Sequence, residues 1–255
     1  MIDSHTHLFL CDGSDAFLAE TAREAGVERM LTVGMEAKSN AAALAAAERH
    51  RAVFAAVGRH PHEAAGFDAE AVAEISRLGA HERVRAIGET GLDFFRDYAD
   101  PEDQRRAFAG QIEIARELDL PLVIHARDRE GGSEAIDEIF ATLDATAGGQ
   151  PVILHCFAAP QRLGDAAERG WYCSFAGNVT YPKAEGLREA AARVPDELLL
   201  VETDAPYLTP QEKRGERNEP ANAVATARFL AELRGVSYEE LERTVEANAR
   251  RLFGW

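Results

Sequence analysis

The sequence predicts a parallel (β/α)8 TIM barrel of the α/β class, and three observations carry that expectation. About eight short apolar runs alternate with longer amphipathic stretches across 255 residues. The runs are continuous rather than alternating, as in parallel strands covered on both faces. The length matches the roughly 250 residues that such a barrel takes as one unit. Strand–helix alternation dictates a parallel sheet with right-handed crossovers. Eight repeats in this length favour a closed barrel over an open doubly wound sheet. No Ser/Gly linker, charge block or low-complexity tract divides the chain, so residues 1–255 are expected to form a single domain.

The elements read in order as follows. Met1–His7 opens the strand series and Arg29–Val33 is a weaker second run. The Ala-rich stretch Asn40–Ala47 reads as helix, because Ala is the best helix former. Val53–Val57 is the next strand, after which Asp68 caps a helix stopping near Gly79. Val84–Gly88 follows, then Asp100-Pro101-Glu102, an acidic cap with proline in the first turn of a helix. Pro121–Ile124, Pro151–Leu154, the weaker Trp171–Phe175 and Leu198–Val201 complete the strands. Pro220 starts a helix ending before Gly235. Ser237 and Glu240 make a capping box for the last helix.

Composition narrows the function. A chain that is 46% hydrophobic can bury one large core. Its longest apolar stretches fall far short of the roughly 20 residues that span a bilayer. The start, MIDSHTHLFL, lacks the basic segment of a secretory signal. A soluble, cytoplasmic protein with no membrane partner is expected. Cys11, Cys156 and Cys173 are odd in number with no C-x-x-C pair, which argues against a disulfide framework. Cys156, although it follows His155, reads as a small buried hydrophobe. The net charge of −16 argues against wrapping duplex DNA. It leaves room for an enzyme that grips a few phosphates through metal ions. Nucleotide-binding glycine motifs are missing.

The polar residues at the ends of the apolar runs carry the chemistry. His5 and His7 end the first run, His60 follows the third, and Glu89 ends the fourth. His125, His155 and Asp204 end or follow the last ones. In a (β/α)8 barrel all strand C-termini open on one face, where active sites form. His5 and His7, two apart on a strand, point to one side and can chelate one ion. His125 and His155, on adjacent strands, can share a second. Glu89 has two oxygens and can bridge both, while Asp204 completes the first site or takes a proton from activated water. Unpaired charges ending buried runs would cost several kcal/mol each, so metal coordination is the economical explanation. Three or four imidazoles favour Zn²⁺, Mn²⁺ or Co²⁺, with Mg²⁺ kept open by its availability.

These segments resemble the TatD-like metal-dependent hydrolases from end to end. The matching pieces are IDSHTH, VGRHPHEA around His60, IGETGLDFFRD around Glu89, and LVIHARD around His125. ILHCF around His155, LLLVETDAPYLTP around Asp204, and RGERNEP near Arg217 continue the series. The resemblance implies a (β/α)8 fold, a divalent metal pair and deoxyribonuclease activity, with DNA, as single strands or ends, attacked as an exonuclease would. In that family His5, His7, Glu89, His125, His155 and Asp204 match the metal ligands, and the histidine matching His60 lies near the substrate. One departure is Glu216, where the family often has a basic residue, which weakens contact with a nucleic-acid backbone.

Around this set, His60 is expected to hydrogen-bond a phosphate oxygen or protonate the leaving group. Its bland alternative is a loop histidine braced by Pro61. Arg127, two residues beyond His125, can hold phosphate in a bidentate contact or pair with Asp128 or another rim acid. Arg217 and Asn218 bind phosphate or fix their loop. Asp93 orients a ligand histidine. Of the pair in this loop, His60 rather than His62 is taken as the site residue, and His50 and His81 are expected to be solvated. Phe94, Phe95 and Tyr98 can stack bases, but they are expected to pack their own loop. Two other functions stay open. One is hydrolysis of a lactone or amide on the same barrel, although Glu89 stands where related enzymes use a carboxylated lysine. The other is a non-catalytic metal-binding barrel.

Overall fold

The computed structural model describes residues 1–255 except Asp97. β1 (Ile2–Thr6) leads through α1 (Asp15–Ala25) to β2 (Arg29–Val33), and α2 (Ala37–Arg49) leads to β3 (Val53–Val57). Then come α3 (Ala69–Gly79), β4 (Val84–Asp93), α4 (Pro101–Leu118), β5 (Leu122–Arg127), α5 (Glu134–Thr146) and β6 (Val152–Leu154). The last third holds α6 (Leu163–Glu168), β7 (Tyr172–Phe175), α7 (Glu185–Arg193), β8 (Leu199–Val201), α8 (Ala223–Arg234) and α9 (Tyr238–Phe253).

Every strand pairs in parallel with the next, from β1 through β8. The (β/α)8 barrel is nearly closed by the segments that flank its first and last strands. Asp204 N–H donates to His5 O at 2.9 Å and His7 N–H to Ala205 O at 2.8 Å. Thr6 and Ala205 form an isolated parallel bridge, and Ser4 Oγ donates to Val201 O at 3.0 Å. Closure therefore runs through the very residues that carry the first and last candidate ligands. Phe108, Phe140 and Phe175 are among the largest fully buried side chains, each stabilising the fold by about 1.5–3 kcal/mol.

The expected caps are present. Asp68 accepts from the amides of Glu70 and Ala71, Asp100 from that of Glu102, and Ser237 and Glu240 make the capping box. The α2 helix is longer than the Ala-rich run because Glu36 and Ser39 cap it reciprocally. Pro220 opens a 3-10 turn, Pro220–Asn222, and α8 begins only at Ala223.

Two strands run past their expected ends in a way that matters, and β5 reaches Arg127 rather than Ile124, so His125 lies inside it. β4 runs to Asp93 rather than ending at Gly88, so Glu89 lies inside the strand and not at its end. The reason is one-sided pairing. Pairing with β3 stops at Val57↔Ile87, whereas Thr90 to Asp93 continue along β5 as far as Arg127. A strand with one neighbour need not be a continuous apolar run, so its polar end hid from the pattern. Among the described residues, no helix is long and apolar enough to cross a membrane.

Candidate metal centre

The barrel mouth gathers the candidate residues in one cavity of about 540 Å³, whose wall includes His7, His60, Glu89, His125, His155 and Asp204. His5 lies behind it, fully buried. The six imidazoles form a continuous arc of ring contacts. His62 touches His60 at 4.4 Å between centroids, and His60 touches His125 at 4.5 Å. His125 faces His155 at 5.8 Å, His155 stacks on His5 at 3.9 Å, and His5 meets His7 edge-on at 4.9 Å.

Glu89 stands at the centre of the arc, with its two oxygens divided between two groups. Oε2 faces His5 Nε2 at 3.5 Å and His7 Nε2 at 3.7 Å. Oε1 faces His125 Nδ1 at 2.7 Å, His155 Nε2 at 2.9 Å and His60 Nε2 at 3.5 Å. Asp204 joins the first group, its Oδ1 lying 3.5 Å from His7 Nε2 and 3.9 Å from His5 Nε2. Asp204 and Cys156 both take positive φ, 53° and 42°, as the chain turns off the strand ends into the mouth.

Outer hydrogen bonds decide which nitrogen of each ring can bind a cation. His7 Nδ1 lies 2.8 Å from the carbonyl of Val33 and must carry its proton there, leaving Nε2 as a lone pair facing inward. Asp93 Oδ2 takes His125 Nε2 at 3.0 Å, and Glu202 Oε1 takes His155 Nδ1 at 3.3 Å, with the same effect. His60 is the opposite case. Its Nδ1 accepts the His62 amide at 3.0 Å, so in the neutral ring Nε2 bears the proton. His60 is thereby built to donate toward the mouth, whereas the other three are built to accept.

Electrostatics follow from burial and crowding. Burial pushes His5 down to about 3, with His155 beside it acting the same way, and burial pushes His60 down to about 4. Burial opposes charge on Glu89 too, but His155, His60 and His125 outweigh it and hold the carboxyl well below its usual range. Burial also opposes charge on His155, yet Glu89 and Glu202 carry its pKa well above the ordinary value. Without a cation, protons on the imidazoles neutralise the carboxylates. A divalent ion does the same with better-matched donors, since the inward nitrogens and Glu89 already converge. Among the described residues, three groups have donor atoms within 4.8 Å of one another: His5, His7 and Glu89; His60, Glu89 and His125; and His5, His155 and Glu202. In the second, the His60 Nε2 proton leaves Glu89 and His125 as the free donors. His5 Nδ1 is buried with no partner among the described residues, whereas His5 Nε2 lies 3.2 Å from the His7 Nε2 lone pair and carries the proton there when no cation is bound. These donors fit a metal site.

Other residues settle less uniformly. Arg127 reaches the cavity wall and lies over Phe95 at 4.2 Å. It makes no ion pair with Asp128, which instead accepts the Ala135 and Ile136 amides at the start of α5. Arg217 donates to Leu10 O at 2.8 Å and sits 3.6 Å from Asp12, off the cavity wall. Asn218 ties its loop to Thr203 O and Tyr207 O. Asp93 holds His62 at 2.9 Å as well as His125 at 3.0 Å. Cys156 departs from the buried reading, since it is partly exposed on the cavity wall. Phe95 and Tyr98 are exposed rather than packed into their loop, while His81 pairs with Glu48 at 3.3 Å.

Two acids escaped the sequence reading. Glu202 is fully buried and accepts the Cys156 amide at 2.7 Å as well as facing His155. Asp3 accepts from the Thr203 amide at 2.9 Å and the Thr203 hydroxyl at 2.6 Å. The only local signal for either was an acid next to a candidate ligand run, in VETD and IDSH.

Fold and site together define a metal-dependent hydrolase on a (β/α)8 barrel. The chain belongs to the family described as TatD related DNase, which it matches over residues 2–254. It is 41% identical over 264 residues to a Mycobacterium tuberculosis protein named "Uncharacterized metal-dependent hydrolase TatD", covering all of this chain and 98% of that one. It is 36% identical over 239 residues to a Cronobacter sakazakii protein named "3'-5' ssDNA/RNA exonuclease TatD", covering 91% and 89%. The crystal structure of a TatD homologue from Escherichia coli K12 superposes with a TM-score of 0.90 at 28% identity, covering 100% and 98%.

Proposed function

We propose that this protein hydrolyses DNA phosphodiester bonds with two divalent cations, as an exonuclease working on single strands or ends. One observation carries the reading: the two oxygens of Glu89 face two separate imidazole groups. A carboxylate so placed is a bridge, and a bridged pair of ions suits in-line displacement at phosphorus. The relatives named as 3'-5' ssDNA/RNA exonucleases support the substrate class.

In this reading His5, His7, Glu89 and Asp204 hold one cation, and Glu89, His125 and His155 hold the other. Bound there, Mg²⁺, Mn²⁺, Zn²⁺ or Co²⁺ would supply Lewis-acid charge at the phosphate and lower the pKa of water. Asp204, at the open edge of the first group, orients the attacking water and receives its proton. His60 Nε2–H donates to a phosphate oxygen, since its depressed pKa leaves the ring neutral and its Nδ1 is already engaged. Arg127 contacts a neighbouring phosphate from the rim. Arg217, held by Leu10 O and Asp12, contributes by fixing its loop and reaches phosphate only if it leaves those partners. The whole chain, 1–255, acts as one domain. Its three free thiols agree with a reducing cytoplasm.

The test is cleavage of end-labelled single-stranded DNA across these four metals, beside a Glu89→Ala variant whose bound metal is counted. Metal-dependent shortening from one end, lost in the variant together with bound metal, is expected. Lactone or amide turnover without DNA cleavage would overturn the reading.

A further inference from the structure

The arc of imidazoles ends at each side in an exposed tyrosine. Tyr98, on the loop after β4, meets His62 edge-on at 4.7 Å between centroids. Tyr207, on the loop after β8, meets His7 at 6.5 Å. The two residues are 65% and 53% exposed, whereas the arc between them is largely covered. Of the five large hydrophobic side chains exposed on the described surface, Tyr207 lines this mouth, and Tyr98 and Phe95 touch its wall residues His62 and Arg127.

Tyr207 stands on pinned backbone, and the loop that carries Tyr98 is tied at Phe95, Arg96 and Ala99. Tyr207 N–H donates to Asp204 O at 2.9 Å, and its carbonyl accepts from Asn218 at 2.5 Å. On the other side, Asp93 Oδ1 accepts the Phe95 and Arg96 amides, and Ala99 O accepts from Gln104. Tyr207 is thus presented to solvent by a held main chain, and on the Tyr98 loop Phe95 carries the Arg127 guanidinium at 4.2 Å.

We propose that Tyr98 and Tyr207 stack the nucleobases on the two sides of the scissile phosphate, so that the mouth selects unpaired strands. The proposal rests on the phosphodiesterase reading above and adds what grips the substrate. A phosphate at Glu89 leaves its two nucleosides extending toward opposite ends of the arc, where the tyrosines stand. Every base has a π-face, so stacking tolerates any sequence, but a duplex keeps those faces occupied. The net charge of −16 removes the alternative of a general Coulomb grip on the backbone.

The experiment compares KM and kcat of the metal-loaded enzyme on a single-stranded oligodeoxynucleotide and on the same strand made abasic on both sides of the cleaved bond. Tyr98→Ala and Tyr207→Ala are each expected to raise KM for the base-bearing strand about tenfold, with a much smaller change in kcat. The KM advantage of the base-bearing strand over the abasic one should collapse, and Tyr98→Phe and Tyr207→Phe should restore it. Equal KM increases on both strands, or no increase, would overturn the stacking role while hydrolysis persists. Failure of the wild-type enzyme to cleave either strand would instead sink the phosphodiesterase reading, and this one with it.

Discussion

His5 and His155 lie face to face, with ring centroids 3.9 Å apart and planes within 16°. One belongs to β1 and the other follows β6. In an open sheet of this strand order, five strand spacings would hold them about 24 Å apart. Their contact is a direct product of barrel closure. It also constrains charge, because two stacked imidazoles resist double protonation, and burial together with His155 drives His5 down to about 3. Burial and the stacked His155 thus favour the neutral form of His5.

Glu89 is the residue on which the two groups depend. Glu89→Gln keeps the side-chain shape but removes the charge that faces five imidazoles. We expect kcat for phosphodiester cleavage to fall more than about 100-fold, beyond the range seen for outer-shell changes. Bound metal, counted by elemental analysis after dialysis, should drop by at least one ion per chain. Full metal occupancy in the variant would contradict the bridge.

Glu202 acts through His155 and the turn at Cys156. Glu202→Gln retains a carbonyl oxygen for the Cys156 amide but weakens the hold on His155 Nδ1. Metal affinity measured by calorimetric titration should fall about 10–100-fold, with the cooperative thermal transition preserved. Unaltered affinity would reduce Glu202 to a purely structural acceptor.

The parts of this protein that sequence exposes are those governed by local physics. Strands buried on both faces have to be continuous apolar runs, so Val53–Val57 appears intact in both readings. Asp68, Asp100 and Ser237 cap helices through bonds to amides two or three residues away, which any local pattern contains. Glu89, His125 and His155 were legible because charged groups ending apolar runs demand partners. Glu202 was not, because its partners, His155 and Cys156, follow a strand two places away in the sheet, which no local spacing reveals. Asp3 was hidden for the same reason, its bonds reaching Thr203 across the seam. Tyr207 reads from sequence as one more aromatic residue, and only the fold sets it beside His7.

Gly91 marks where strand β4 presses on β5. A Cβ there would stand 2.0 Å from His125 O, at a φ of +137° that L side chains rarely adopt. Gly91→Ala must therefore displace the strand that carries His125. We expect a loss of about 2–4 kcal/mol in unfolding free energy, read from urea midpoints, together with weaker metal binding. A variant as stable as the parent would show that β5 yields freely, contrary to its paired ladder.

Asp3 gives the fold a pH dependence of definite sign. Burial pushes its carboxyl up from 3.8 to about 8, against the hydrogen bonds from Thr203 and the His5 amide. The folded chain thus keeps a proton that the unfolded chain has released. Its contribution to stability is complete below pH 3.8 and is lost as pH rises toward 8, with a limiting slope of about 1.4 kcal/mol per pH unit. Asp3→Asn keeps an oxygen for the two amides but cannot titrate. Urea midpoints of metal-free protein between pH 5 and pH 8 should show the parent losing stability relative to the variant as pH increases. A constant offset between the two over that range would mean that Asp3 is ionised in the fold, and that its three hydrogen bonds outweigh its burial.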